Sequence, residues 1–223
     1  MGEKQINGEN WGVCGKMNTG KTHITRELAA QIQARTNKPI LVFDHANNPS
    51  YEDIVRVIDT DYLVKRKLKP GETYRISGEK DIDYFIMTAT DYVRDTIVVL
   101  DDCGNYFTGN TTQIQMAFIM ASKNNRNDVF YQFHNFNDIS PKLCRAFQML
   151  VIKEQAIGTI PDKVPNAPLV QILHDEVQAE NDELDPMKIW SYRIYDIGMD
   201  YVYWEDPETK KLTGSPGREY FRE

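Results

Sequence analysis

The chain has 223 residues, 41% hydrophobic and 26% charged, with 13 glycines and 10 prolines, which is the size of one domain and near the globular average, and excludes disordered, collagenous and coiled-coil classes. A net charge of −7 offers no global attraction to nucleic acid, so any such surface has to be a local patch. Cys14, Cys103 and Cys144 are odd in number and form no CxxC pair, which disfavours a disulfide framework or zinc site and fits a reducing cytosol; the polar start Met1 to Glu9 and the lack of any apolar run near the roughly 18 residues of a bilayer span read as a soluble, uncleaved chain.

Short apolar runs alternate with amphipathic stretches, the rhythm of an α/β sheet. The first strand, Trp11 to Cys14, leads into Gly15-Lys16-Met17-Asn18-Thr19-Gly20-Lys21-Thr22 and then His23. This matches GxxxxGK[ST] at every fixed position, a pattern that chance supplies in roughly one chain of this length in a hundred. The glycines let successive backbone N–H groups turn inward on phosphate oxygens, and Lys21 reaches the β and γ phosphates as a point charge. Thr22 is placed to hold magnesium. The helix that follows, Lys21 to Ala34 with Ile24, Leu28, Ala29 and Ile32 on one face, adds its positive N-terminal end to the anion site.

Ile40 to Asp44 is the second strand. Tyr51 to Lys80 carries Lys65, Arg66, Lys67 and Lys69 before the turn signal Pro70-Gly71 and reads as an insertion or peripheral hairpin. Asp81 to Val93 is a helix feeding the most apolar strand, Thr96 to Leu100, which is expected to be central. Asp101-Asp102 closes that strand as a Walker B element, with Asp101 beside Thr22 on the metal and Asp102 as the acid that orients water on the γ phosphate. The spacing leaves room for a strand between the two motifs.

A helix from Thr111 places Ile114, Phe118, Ile119 and Ser122 on one face, and Arg126 follows it. Val129 to Phe133 ends in Gln132, His134 and Asn135, where Gln132 or Asn135 is placed to sense the γ phosphate. Arg126 is a candidate arginine finger on a neighbour's nucleotide, with Arg145 as competitor. The last core strand is Met149 to Ile152. From Gly158 the chain turns acidic through Asp175, Glu176, Glu180, Asp182, Glu183 and Asp185, a solvated helix face rather than a metal site. Ile189 to Tyr195 and Tyr201 to Trp204 form a hairpin turning near Gly198.

The order of these elements resembles the FtsK/HerA superfamily of P-loop ATPases over roughly Trp11 to Glu154: Walker A, Phe43-Asp44, two acids after the Walker B strand, an arginine-bearing helix end, a strand closing on Gln132, and Asp138 to Leu143. The small size is most similar to viral genome-packaging ATPases, with Zot-like phage assembly ATPases as a near relative in pattern. The second acid of that family is commonly Glu, and here it is Asp102. The resemblance implies a three-layer P-loop fold with a mostly parallel sheet and a C-terminal β-hairpin extension. It implies one domain, with a motor core over about 9–155 and an extension over 156–223. It further implies ATP and Mg2+ as cofactors, a hexameric ring with double-stranded DNA in its channel, a portal, capsid or membrane partner, and a place in the host cytoplasm or the virion. Lys142 and the basic cluster are then candidate DNA contacts. A Zot-like reading would instead give an assembly or secretion factor acting on protein or single-stranded DNA. A P-loop small-molecule kinase needs an arginine-rich lid after Walker B, and a GTPase an NKxD loop; neither pattern is present.

Overall fold

The computed structural model describes residues 8–107, 109–184, 191–206 and 208–221. Ten strands form one sheet in the order β10-β9-β8-β7-β1-β6-β5-β2-β4-β3. From β7 to β3 all neighbours are parallel, whereas β8, β9 and β10 continue the sheet antiparallel from β7. The mostly parallel α/β fold and its C-terminal hairpin are therefore as the sequence led us to expect.

β1 (Asn10–Cys14), β2 (Ile40–Asp44), β5 (Ile97–Leu100), β6 (Asp128–Phe133) and β7 (Met149–Ile152) are buried along their whole lengths. Side chains on a strand alternate between faces, and the two hydrophobic clusters divide the sheet in that rhythm. Trp11, Val13, Val42, Val99, Phe130 and Val151 pack under α1 (Lys21–Thr36). Cys14, Phe43, Leu100, Tyr131 and Ile152 pack against α3 (Ile82–Tyr92), α4 (Gln113–Asn124), α5 (Pro141–Cys144) and α6 (Ala167–Asp182) on the other face. This is a three-layer arrangement.

Helix boundaries follow local chemistry. Asp81 caps α3 by accepting from Tyr84 N, and Thr112 with Gln115 forms a capping box on α4, each satisfying otherwise orphaned amide donors. α1 ends where Asn37 takes a left-handed conformation and donates to the Gln33 carbonyl. The acidic stretch lies on α6, where Glu176 and Glu180 pair with Arg193 of β8 (Arg193–Asp196); Asp185 is outside the described residues.

The region 51–80 is not a hairpin. β3 (Val57–Ile58) and β4 (Thr73–Ser77) flank α2 (Thr60–Lys65) and join the sheet in parallel. The reason is Arg75, buried in mid-strand on β4, whose Nε and Nη2 donate to Asp44 Oδ2 at 2.9 and 2.6 Å. An arginine in the middle of a five-residue run reads as a surface position unless its distant acid is known. Breaking a buried pair leaves an uncompensated charge. Arg75→Met, which strands the fully buried Asp44, is therefore expected to lower unfolding free energy by about 3–5 kcal/mol in urea titration; an unchanged midpoint would show that water reaches Asp44.

The C-terminal sheet turns between β8 and β9 (Tyr201–Glu205) at 197–200, near Gly198. The hairpin residues Ile189 and Trp190 lie outside the described residues. β10 (Leu212–Pro216) adds a third strand that the sequence reading did not contain. No helix among the described residues is long and apolar enough to cross a membrane.

Candidate nucleotide site

β6 lies between β1 and β5. The carboxyl ends of these three adjacent strands thus bring together the loop after Cys14, the acids after Leu100 and the polar residues ending β6. Ligands of open α/β sheets gather at such strand ends.

The loop is folded tightly on its neighbours. Gly15 donates to the Phe133 carbonyl at 3.2 Å and Lys16 N to the Glu154 carbonyl at 2.7 Å. A Cβ on Gly15 would fall 2.7 Å from Lys153 Cβ and 2.9 Å from Thr19 Oγ1, so no larger residue fits. Gly20 has φ 76°, a left-handed conformation that glycine adopts without penalty, and it delivers the chain into α1. Glu154 pairs with Lys16, and its other oxygen accepts from Asn181 Nδ2 of α6 at 3.1 Å. Lys153, beside it, is buried, donates to the Ser191 carbonyl at 3.2 Å, and is pushed down to about 7 by burial and by the Lys21 charge. Met17 and His23 are exposed, Asn18 is exposed with φ 61°, and Thr19 is buried with its hydroxyl donating to the Lys16 carbonyl at 2.8 Å.

Lys21 Nζ donates to the carbonyls of Gly15 at 2.6 Å and Lys16 at 3.0 Å, inside the loop. Desolvation lowers its pKa, opposed by the negative charge of Asp102 and Asp101. His134 Nδ1 is 3.4 Å from this ammonium, and His134 Nε2 is 2.7 Å from Asp102 Oδ1. An ammonium has only donors, so Nδ1 accepts and Nε2 carries the proton toward Asp102. Asp102 sits at φ 53°, ψ 46°, the left-handed region that Asp and Asn visit more readily than other residues. That turn aims its carboxylate at His134 while Asp101 faces inward.

Asp101 is buried. Its Oδ2 accepts from Asn48 Nδ2 at 3.0 Å and its Oδ1 from the Tyr51 hydroxyl at 3.3 Å. Burial raises its carboxyl above the usual range, with nearby Asp44 and Asp102 adding to the shift. Gln132 Nε2 donates to Tyr51 Oη at 3.0 Å. An oxygen-only set of the Thr22 hydroxyl and the Asp101 carboxylate, the carboxylate hydrogen-bonded by the neutral donors Asn48 and Tyr51, fits a hard ion that keeps much of its water, as Mg2+ does. The glycine loop that opens α1 and the Lys21 ammonium fit a polyphosphate.

The structure brings together Gly15 to Thr22, Asp101, Asp102 and Gln132. Asn135 instead caps the turn Phe136–Asp138 and donates to Asp138 Oδ2 at 2.8 Å. Arg126 does not join the site. It precedes β6, at the opposite edge of the sheet, about 20 Å away for a six-residue strand, and pairs with Asp95 at 2.5 Å. Arg145 is exposed after α5. Lys65, Arg66, Lys67 and Lys69 are exposed before β4 on that same far edge, with Lys65 3.5 Å from Asp61. Sequence reasoning missed Asn48, Tyr51, Glu154 and the part His134 plays; only His134, two residues after Gln132 at a strand end, carried a local signal.

No protein-family model matches the chain, and no curated protein matches it. Solved structures do. The genome packaging NTPase B204 from Sulfolobus turreted icosahedral virus 2 in complex with sulfate is 12% identical, with a TM-score of 0.61 over 94% of this chain and 97% of that one. Its complex with AMPPCP is 13% identical with a TM-score of 0.58 over 94% and 98%. B204, the DNA-packaging ATPase from Sulfolobus turreted icosahedral virus, is 13% identical with a TM-score of 0.58 over 95% and 99%. At this identity the likeness is one of fold over nearly the whole of both chains, and it agrees with the resemblance to packaging ATPases read from the motif order.

Proposed function

We propose that this chain is an ATP-hydrolysing motor that translocates double-stranded DNA, a viral genome-packaging ATPase acting as a ring of identical subunits, six on the resemblance. The observation that carries the reading is the convergence at three neighbouring strand ends of Lys21, Thr22, Asp101, Asp102 and Gln132. The relatives in fold were solved with nucleotide analogues and are described as packaging enzymes, which supports ATP as ligand and DNA as cargo.

The loop amides after Lys16 cradle the phosphates, and Lys21 leaves the Gly15 and Lys16 carbonyls for the β and γ oxygens. Thr22 and Asp101 would hold Mg2+, which would supply positive charge against that developing on the phosphates. Asp102 orients a water and takes its proton as the water oxygen bonds to the γ phosphorus and the bond to the bridging oxygen breaks, leaving ADP and phosphate. Gln132 registers the γ phosphate from β6. Arg126 or Arg145 acts as an arginine finger on the nucleotide of another subunit. Residues 9–155 form the motor core and 156–223 an extension that docks a portal, capsid or membrane partner.

The exposed basic cluster gives DNA a phosphate-gripping patch on the edge away from the nucleotide. Phosphate contacts set the salt dependence of binding. ATP turnover per subunit is expected to rise with protein concentration and with added double-stranded DNA. Neutralising Lys65, Arg66, Lys67 and Lys69 is expected to flatten the dependence of DNA affinity on salt. Hydrolysis indifferent to both DNA and concentration would remove the translocating ring, and an unchanged salt slope would remove the cluster from it.

A further inference from the structure

The chain leaves β2 at Asp44 and enters a strap that crosses the α1 face before β3. The buried Asp44–Arg75 pair grips it. Asp44 Oδ1 accepts from Asn48 N at 2.9 Å, Arg75 Nη1 donates to the Tyr51 carbonyl at 3.1 Å, and Arg75 Nη2 to the Asn48 carbonyl at 3.3 Å. Asn48 Oδ1 accepts from Ser50 N at 3.0 Å, fixing the amide so that Nδ2 faces Asp101. The strap is held from β4 and delivers two side chains to the Walker B acid.

Tyr51 is fully buried, its ring in the apolar cluster with Ile54, Val42 and Val99. Packing alone asks only for an aromatic ring there, and a phenylalanine would meet it. The hydroxyl needs another reason, because burying one costs free energy unless it is paired. A phenol offers one donor and two lone pairs. Here it donates to Asp101 and accepts from Gln132, so the hydroxyl is paired in both senses and joins two different motifs of the site. The donors to Asp101 are neutral, so they fix the carboxylate without cancelling the charge that a cation needs.

We propose that Tyr51 is a positioning residue of the nucleotide site, its hydroxyl setting Asp101 for the metal and Gln132 for the γ phosphate as one unit, with Asn48 as second support. The proposal rests on the ATPase reading. It gives the two ends of the site a shared atom, so that a disturbance at the metal end is felt at Gln132.

The test compares binding of the fluorescent probe N-methylanthraniloyl-ATP with Mg2+ and with EDTA. The parent is expected to bind more tightly with Mg2+. Tyr51→Phe is expected to lose about ten-fold or more of that advantage, as removal of outer partners of metal ligands commonly does, while binding in EDTA stays within about two-fold. Asn48→Ala is expected to act in the same direction. In turnover, Tyr51→Phe and Gln132→Ala are expected to be non-additive, the double variant losing little more than the worse single one. A Tyr51→Phe protein that keeps the parent's Mg2+ advantage overturns the proposal. So does one that loses EDTA binding equally, since the hydroxyl is then a brace for the fold. A parent that binds no probe overturns the ATPase reading and this proposal with it.

Discussion

Replacing Lys21 by alanine is expected to leave less than about a thousandth of the parent's ATP hydrolysis and to weaken nucleotide binding by roughly ten-fold or more, since losing one preorganised group aimed at developing charge costs about 10²–10³ in turnover and here a full charge goes with it. The size of the loss follows from the placement of the ammonium. It is desolvated enough for its pKa to fall, yet it is held by two loop carbonyls, Gly15 O at 2.6 Å and Lys16 O at 3.0 Å. Those carbonyls are neutral acceptors, whereas phosphate oxygens carry full negative charge and add ion-pair attraction to the hydrogen bonds. Binding a polyphosphate therefore draws Lys21 off its own backbone with a net gain. Alanine keeps α1 intact, because it is the best helix former, so folding is preserved and the loss falls on the site. Phosphate release and probe binding on the same sample measure the two effects. Normal turnover by the variant would overturn the assignment of the loop.

How far the site could be read beforehand depends on how local its chemistry is. The loop from Gly15 to Thr22 was legible because its function needs contiguous residues at fixed spacing. β1, β2, β5, β6 and β7 were legible because strands buried on both faces are apolar runs, and each was recognised to within a residue of its bounds. β4 was hidden by Arg75, which makes sense in the sheet only with Asp44, 31 positions earlier. Tyr51 was hidden for the same reason, since its partners Asp101 and Gln132 lie 50 and 81 residues away. β10 was missed because Leu212-Thr-Gly-Ser-Pro216 has almost no apolar alternation and gains its structure by pairing along β9. The acids of α6 were read correctly as a solvated face, but two of them have a second duty on Arg193, which no helical periodicity reveals. The general rule is that contiguous chemistry survives in the sequence, and chemistry assembled from loops of different strands does not.

Asp102→Asn is expected to keep nucleotide bound within about two-fold and to slow its cleavage by about 10²–10⁴, the usual contribution of a positioned acid or base. Asparagine is the clean substitution because of the backbone. Asp102 stands at φ 53°, where asparagine is tolerated as readily as aspartate and alanine would add strain of about 1 kcal/mol or more. The side-chain oxygen that replaces the carboxylate still accepts from His134 Nε2, so the chain from Lys21 through His134 keeps its geometry. What disappears is the negative charge and the capacity to take a proton from water. If Asp102 only capped the strand or only steered His134, this variant would turn over like the parent. A variant that binds the probe normally and hydrolyses at the parent's rate would therefore move the catalytic base elsewhere. Asp102→Glu adds the converse test: it restores the charge with one more methylene, so if the shorter acid of this chain is matched to its own left-handed turn, the glutamate should bind nucleotide and cleave it more slowly than the parent.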